Sequence, residues 1–343
     1  MSSIQTSSRP IPTNAQPTTA DSIEPLPARA TRDVPTMAGR WLPLVVWSGL
    51  CFIWGSTWLA IKMGLRDLPP ITFAGVRFVI ASLLLFAIIL VRRVRFPTTL
   101  EDWRLLAWTG FLNITVNYAL VFWGEQYLAS GLAALLNATI PLFGLPLAHR
   151  YIATERLTTS KVAGVLLGLV GVGIVCSAEL GGNGAHAFWA SLAIIVASLA
   201  GAQGSVLVKA RGGHFDPALL AGVQMATGCL PLMAGGILLE GNPAGYQWTM
   251  RAIIALAYLA VVGSVVAFLA YYWLIRHTEV TRVLLIPLVT PLVAVLLGVG
   301  MLGETIGWGT AAGGSAILVG VTLVMFGGSS LRIPRWAFLG VRR

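Results

Sequence analysis

Residues 70–77 read PITFAGVR and residues 217–224 read PALLAGVQ. The two octets stand 147 residues apart, and the same offset separates Lys62 from Lys209. Further along, Phe122 pairs with Tyr272, Trp123 with Trp273 and Pro141 with Pro291 at an offset of 150. After a one-residue deletion, Glu155 pairs with Glu304, Gly164 with Gly313 and Gly171 with Gly320. One such match would be cheap. A nearly constant offset carried across five apolar runs marks a duplicated unit, and an odd number of spans per unit forces the second copy to cross a bilayer upside down relative to the first.

The runs themselves are long enough to span. A transmembrane helix needs about 20 predominantly apolar residues, and such stretches are predicted at 43–63, 70–91, 105–124, 129–148, 161–177, 187–208, 217–239, 252–275, 280–300 and 309–327. Only 10% of the 343 residues are charged and 56% are hydrophobic, too few charges to coat a water-facing surface of that size. Pro70 and Pro217 sit at helix starts, where a missing N–H costs little. Pro141, Pro146, Pro287 and Pro291 fall inside spans and predict kinks.

The net charge of +10 does not indicate a nucleic-acid partner, because the basic residues cluster at the ends of apolar runs, where they set topology. With the N-terminus cytoplasmic, 19 of the 23 Lys and Arg residues fall on the cytoplasmic side; Lys62, Arg66 and Arg251 fall on the other, and Arg77 lies within a span. Residues 1–40, rich in Ser, Thr and Pro, bury too little apolar surface to order themselves and read as a disordered cytoplasmic tail. The expected division is a first five-helix repeat over 41–178, a second, inverted repeat over 186–328 and a basic cytoplasmic tail over 329–343. Cys51, Cys176 and Cys229 all lie in apolar runs and read as small buried residues, neither a disulfide framework nor a metal site.

Three stretches carry a family resemblance: WGSTWLAIK (Trp54 to Lys62), AGVRF (Ala74 to Phe78), and the run from Pro141 through Glu155 and Lys161 to Gly164, with its second copy from Pro291 through Glu304 to Gly313. Over roughly residues 42–327 the chain resembles EamA-type members of the drug/metabolite transporter superfamily. The resemblance implies an all-α integral membrane protein of ten helices in two inverted repeats, both termini cytoplasmic, in a bacterial inner membrane. It also implies export of small metabolites, most commonly amino acids and related compounds.

Arg77 stands out among residues that could touch cargo. An Arg at the centre of a membrane helix costs about 2.5–3.5 kcal/mol on insertion scales, so an intramembrane charge is a functional hypothesis by default. Its repeat mate is Gln224, so the scaffold does not demand a cation there. Two readings follow: a guanidinium that meets an anionic group in a cavity, or one that bonds carbonyls and locks helix packing. Ser56, Thr57, Asn117, Asn137, Gln203 and Gln224 are polar candidates for the same cavity, with Asn113 a further polar residue in a span. Trp54, Tyr118, Trp123 and Tyr272 are aromatic candidates, alongside Trp58, Tyr271 and Trp273. Pro141, Glu155, Pro291 and Glu304 read as structural elements of the repeat, the two glutamates bonding or capping at a helix end.

No phosphate-binding loop of the G-x-x-x-x-G-K-[ST] type occurs, and neither H-E-x-x-H nor a pair of mid-span aspartates is present, so an enzyme and an ATP-driven pump are both disfavoured. The sequence calls for no cofactor and no metal; its partners are membrane lipid and a small metabolite, and it leaves oligomeric state open. All acidic residues fall in the tail, in loops or near helix ends, and the four histidines near span boundaries. This predicts exchange or facilitated efflux, or proton coupling through a residue at the mouth such as Glu125. A channel or scaffold remains the alternative to a carrier.

Overall fold

The computed structural model describes residues 37–152, 158–182, 184–277 and 286–326; Glu155 lies outside them. Every regular element among the described residues is helical. In chain order these are α1 (Met37–Gly64), α2 (Pro70–Val91), α3 (Leu100–Glu125), α4 (Ser130–Tyr151), α5 (Thr159–Gly182), α6 (Gly184–Arg211), α7 (Pro217–Glu240), α8 (250–277), α9 (Ile286–Leu302) and α10 (Trp308–Phe326). All but α9 are long and apolar enough to cross a bilayer by themselves. The fifth helix, predicted to be the shortest, runs to 24 residues, because its backbone stays helical beyond the apolar run that the hydropathy marks.

Interiors of the helices depart from ideal geometry at equivalent places. α3 carries a π-helical stretch at Phe111–Val116 and α8 one at Tyr258–Val266; residues 111–116 and 261–266 are repeat mates at the offset of 150. Such stretches frequently accompany functional sites. In α4 the helix breaks at Ala138 and Thr139 and resumes at Ile140, with Pro141 next. Pro141 has no N–H to offer the carbonyl four residues earlier. Thr139 Oγ1 donates to the Leu136 carbonyl at 2.6 Å, which closes the turn. Pro43 in α1 and Pro231 in α7 also lie within helices.

The two repeats clasp each other. α7 runs antiparallel along α2: Gly222 faces Leu85 and Ile89, while Gly236 faces Thr72. α5 and α10 meet along a glycine seam in which Gly164 lies against Gly320 and Gly171 against Gly313. A methyl group at Gly164 would stand 2.6 Å from the Gly320 carbonyl oxygen, and one at Gly171 2.6 Å from that of Gly313, so only glycine lets these backbones approach. Each contact joins one position to the repeat mate of the other, as a two-fold axis in the membrane plane requires.

Polar groups hold the helix ends. At one end of α2, both oxygens of the Glu240 carboxylate accept backbone N–H groups of Ile71 and Thr72, each at 2.8 Å, and Thr72 Oγ1 donates at 2.7 Å. At the same end Asp67 pairs with Arg251 at 2.6 Å and accepts from Thr249 Oγ1 at 2.6 Å. The bonds from Arg251 and Thr249 pull the Asp67 carboxyl down to about 2. At the far end of α2, Arg92 lies 4.0 Å from Asp216, and Asp102 pairs with His214 at 3.0 Å. Loops 65–69 and 241–249 thus share one end of the bundle and residues 92–102 and 212–216 the other, the arrangement an antiparallel duplication demands.

Candidate functional site

Two chambers of about 250 and 350 Å³ open between the repeats and share Trp54, Asn117, Tyr118, Asn137, Ile140, Phe268, Ile286 and Pro287 as walls. They are two parts of one hollow. Its lining is itself duplicated. Trp54 and Gly201, Trp58 and Ser205, and Arg77 and Gln224 are mates at 147; Tyr118 and Phe268, Val121 and Tyr271, Asn137 and Pro287, and Ile140 and Thr290 are mates at 150; all fourteen line the hollow. The backbone is two-fold and the chemistry is not. The guanidinium and the Trp58 ring line the first chamber alone, whereas Asn113, Ser205, Gln224 and Tyr271 line the second alone.

Arg77 is 2% exposed and faces the first chamber. Its Nε donates to Ser264 Oγ at 3.1 Å. Ser264 belongs to the π-helical stretch of α8 and donates in turn to the Leu259 carbonyl at 2.9 Å, so the altered winding of α8 aims the acceptor at the guanidinium. The guanidinium carbon sits 5.0 Å from the Phe78 ring centroid and 5.1 Å from that of Tyr118, within cation–π range. Its Nη1 has no hydrogen-bond partner among the described residues.

The polar residues around it are held by neighbours. Asn117 Nδ2 donates to the Ala197 carbonyl at 2.9 Å, Gln224 Nε2 to Thr109 Oγ1 at 2.8 Å, and Thr57 Oγ1 to the Trp54 carbonyl at 2.7 Å. Trp54 packs against Tyr271 with ring centroids 5.3 Å apart and edge-on to Phe268 at 6.1 Å. Trp54, Thr57, Arg77, Asn117, Tyr118, Asn137 and Gln224 therefore come together around the hollow.

Ser56, Trp123 and Gln203, expected there too, line neither chamber. Ser56 Oγ bonds the Tyr258 hydroxyl at 2.6 Å and pins α1 to α8; Trp123 packs on Tyr127. Ser56 and Trp123 thus lie on faces of α1 and α3 that turn toward neighbouring side chains and not toward the hollow. Of Tyr272 only the backbone is described. Ser205, Phe268 and Thr290 were not among the expected lining residues; Ser205 and Phe268 are the repeat mates of the candidates Trp58 and Tyr118, a signal the offset already contained, whereas Thr290 is the mate of Ile140, which was not expected either.

Glu125 is not at a mouth. It is fully enclosed, and neither carboxylate oxygen has a partner among the described residues. Its backbone carbonyl accepts Lys62 Nζ at 2.7 Å, and the same ammonium reaches the carbonyls of Gln126 at 3.3 Å and Leu128 at 2.6 Å. Lys62 thereby ties the end of α1 to the turn after α3. Glu304 accepts from Ser130 N and Ser130 Oγ, both at 2.8 Å, and caps α4. Pro291 lies within α9.

Residues 42–177 and 188–326 each match the EamA-like transporter family. The chain belongs to that family. It is an integral membrane transporter of the drug/metabolite transporter superfamily, and not an enzyme. Among its relatives, an uncharacterized inner membrane transporter of Escherichia coli, YedA, is 34% identical over 75% of this chain and 82% of its own length. A probable amino-acid metabolite efflux pump of Salmonella typhimurium is 29% identical over 80% of this chain and 92% of its own. A crystal structure at 22% identity superposes with a TM-score of 0.58, covering 82% of this chain and 96% of that one, a likeness that concerns the fold alone.

Proposed function

We propose that this EamA protein is a secondary carrier that exports amino acids or related small metabolites by alternating access. In this reading it sits in a bacterial inner membrane with both termini in the cytoplasm. The observation that carries the reading is the hollow between the repeats, walled by equivalent positions of two inverted units. Inverted repeats that enclose a midplane site can exchange conformations, and each exchange turns the site toward the other face. The name of the Salmonella relative supports amino-acid-like cargo, and the 19-to-3 distribution of Lys and Arg supports the orientation.

The test is counterflow in proteoliposomes against a panel of amino acids, their acylated and deaminated derivatives, and uncharged solutes. A carrier gives saturable uptake that is accelerated by unlabelled solute inside the vesicle. Flux that rises linearly with concentration and ignores internal solute would support the channel reading instead. Labelling of single cysteines placed in loops 92–99 and 241–249 tests the orientation, and reaction of the former only from outside would reverse it.

A further inference from the structure

We propose that the hollow selects monoanionic carboxylates with an apolar, ring-sized body, and that Arg77 is the residue that binds the carboxylate. This deepens the carrier reading above and rests on it. Arg77 is the one ionisable Arg, Lys, His, Asp or Glu side chain that lines either chamber among the described residues. A guanidinium taken out of water is costly unless its donors and its charge are both met. Here Nε is met by Ser264, the guanidinium carbon lies 5.0 and 5.1 Å from the Phe78 and Tyr118 ring centroids, and Nη1 is buried without a partner among the described residues in a side chain that lines the cavity. Were Arg77 present only to lock helix packing, Nη1 would find a carbonyl.

An unpartnered donor on a side chain that lines a cavity fits an acceptor that comes and goes, reached by a small turn of the guanidinium. A carboxylate matches it in charge and in fork geometry. The rest of the wall argues about the body of the ligand. Trp54, Trp58 and Phe268 offer ring surface, and no carboxylate in the lining waits for an ammonium. A zwitterion would therefore strand its ammonium against amides and hydroxyls, and an amine would meet Arg77 as a like charge. Deaminated or N-acylated relatives of amino acids fit better than the free amino acids themselves.

Four ligands of one size separate these cases: 3-phenylpropanoate, 3-phenylpropanamide, 3-phenylpropylamine and phenylalanine. Ligand-induced thermal stabilisation of the purified full-length protein, with counterflow of labelled 3-phenylpropanoate, reads the preference. The expected result is half-maximal stabilisation by the propanoate at a concentration lower by about tenfold than for any of the others, the order one charge-assisted bond supplies. Arg77→Gln, which installs the residue found at the repeat mate, should erase that advantage, and Arg77→Lys should keep part of it. Equal or tighter binding of the amide, amine or phenylalanine would overturn the proposal, as would an Arg77→Gln protein that retains the preference, or no binding of any of the four. If Arg77→Gln does not fold, the ranking on the unmodified protein decides. Saturable exchange of zwitterions with indifference to 3-phenylpropanoate would refute this inference and leave the carrier reading standing; linear flux of every solute in the wider panel would refute the carrier reading.

Discussion

Replacing Gly171 and Gly173 by alanine, one at a time, isolates the contribution of the α5–α10 seam. The two glycines lie on one helix and differ in what they face. A methyl group at Gly171 would stand 2.6 Å from the Gly313 carbonyl oxygen, 2.8 Å from Ile317 N and 3.0 Å from Ala316 Cβ; at Gly173 it would meet nothing within 4 Å. Ordinary contact begins at 3.4 Å, so Gly171→Ala must part the helices by about 0.8 Å, and the opposing atoms are largely backbone that cannot rotate aside. Overpacking of this kind costs about 1–3 kcal/mol. At Gly173 the same methyl group only restricts the unfolded backbone and should be neutral or stabilise by up to about 1 kcal/mol. Thermal unfolding in detergent would show the difference as a melting temperature lower by roughly 2–4 °C per kcal/mol for Gly171→Ala alone. The pair Gly171→Ala with Gly313→Ala should cost less than the sum, since the first substitution already opens the space for the second. Equal effects at 171 and 173, within about 0.5 kcal/mol, would refute the close-packed seam.

Glu304→Ala should destabilise by about 1–2 kcal/mol through loss of the α4 cap, visible in the same melt, with no change expected from Thr305→Ala. Asp67→Asn should lower the melting temperature at neutral pH. The Asp67 carboxyl lies at about 2 rather than its ordinary 3.8, so the stabilisation is full above pH 3.8 and is lost as pH falls through about 2; the gap between wild type and Asp67→Asn should close over that window. Lys62→Met removes the donor to three carbonyls, and a cysteine placed at Gln126 should then react faster with a water-soluble maleimide.

The apolar runs and their duplication are legible in the sequence because bilayer thickness and a shared offset act on local composition. Spacing also reaches part of the site: Arg77 and Trp54 line the hollow, and the mates of the candidates Trp58 and Tyr118 would have indicated Ser205 and Phe268. Ser56, Trp123 and Gln203 show the limit, since which way a side chain turns depends on helical phase, and the π-helical stretches in α3 and α8 shift that phase without any marker in residue type. The enclosure of Glu125 is equally silent, as it comes from α1, α2 and α6 packing against the end of α3. The Ser264–Arg77 bond joins residues 187 apart and exists only once the two units have packed.

Were the two units identical, exchanging their shapes would return a molecule of the same energy, and neither orientation would be favoured at rest. Arg77 opposite Gln224, and Trp54 opposite Gly201, lift that degeneracy. In the alternating-access reading proposed above, a tilt in the resting equilibrium follows from such side chains before any solute arrives, and swapping those pairs between units should shift it toward the opposite orientation.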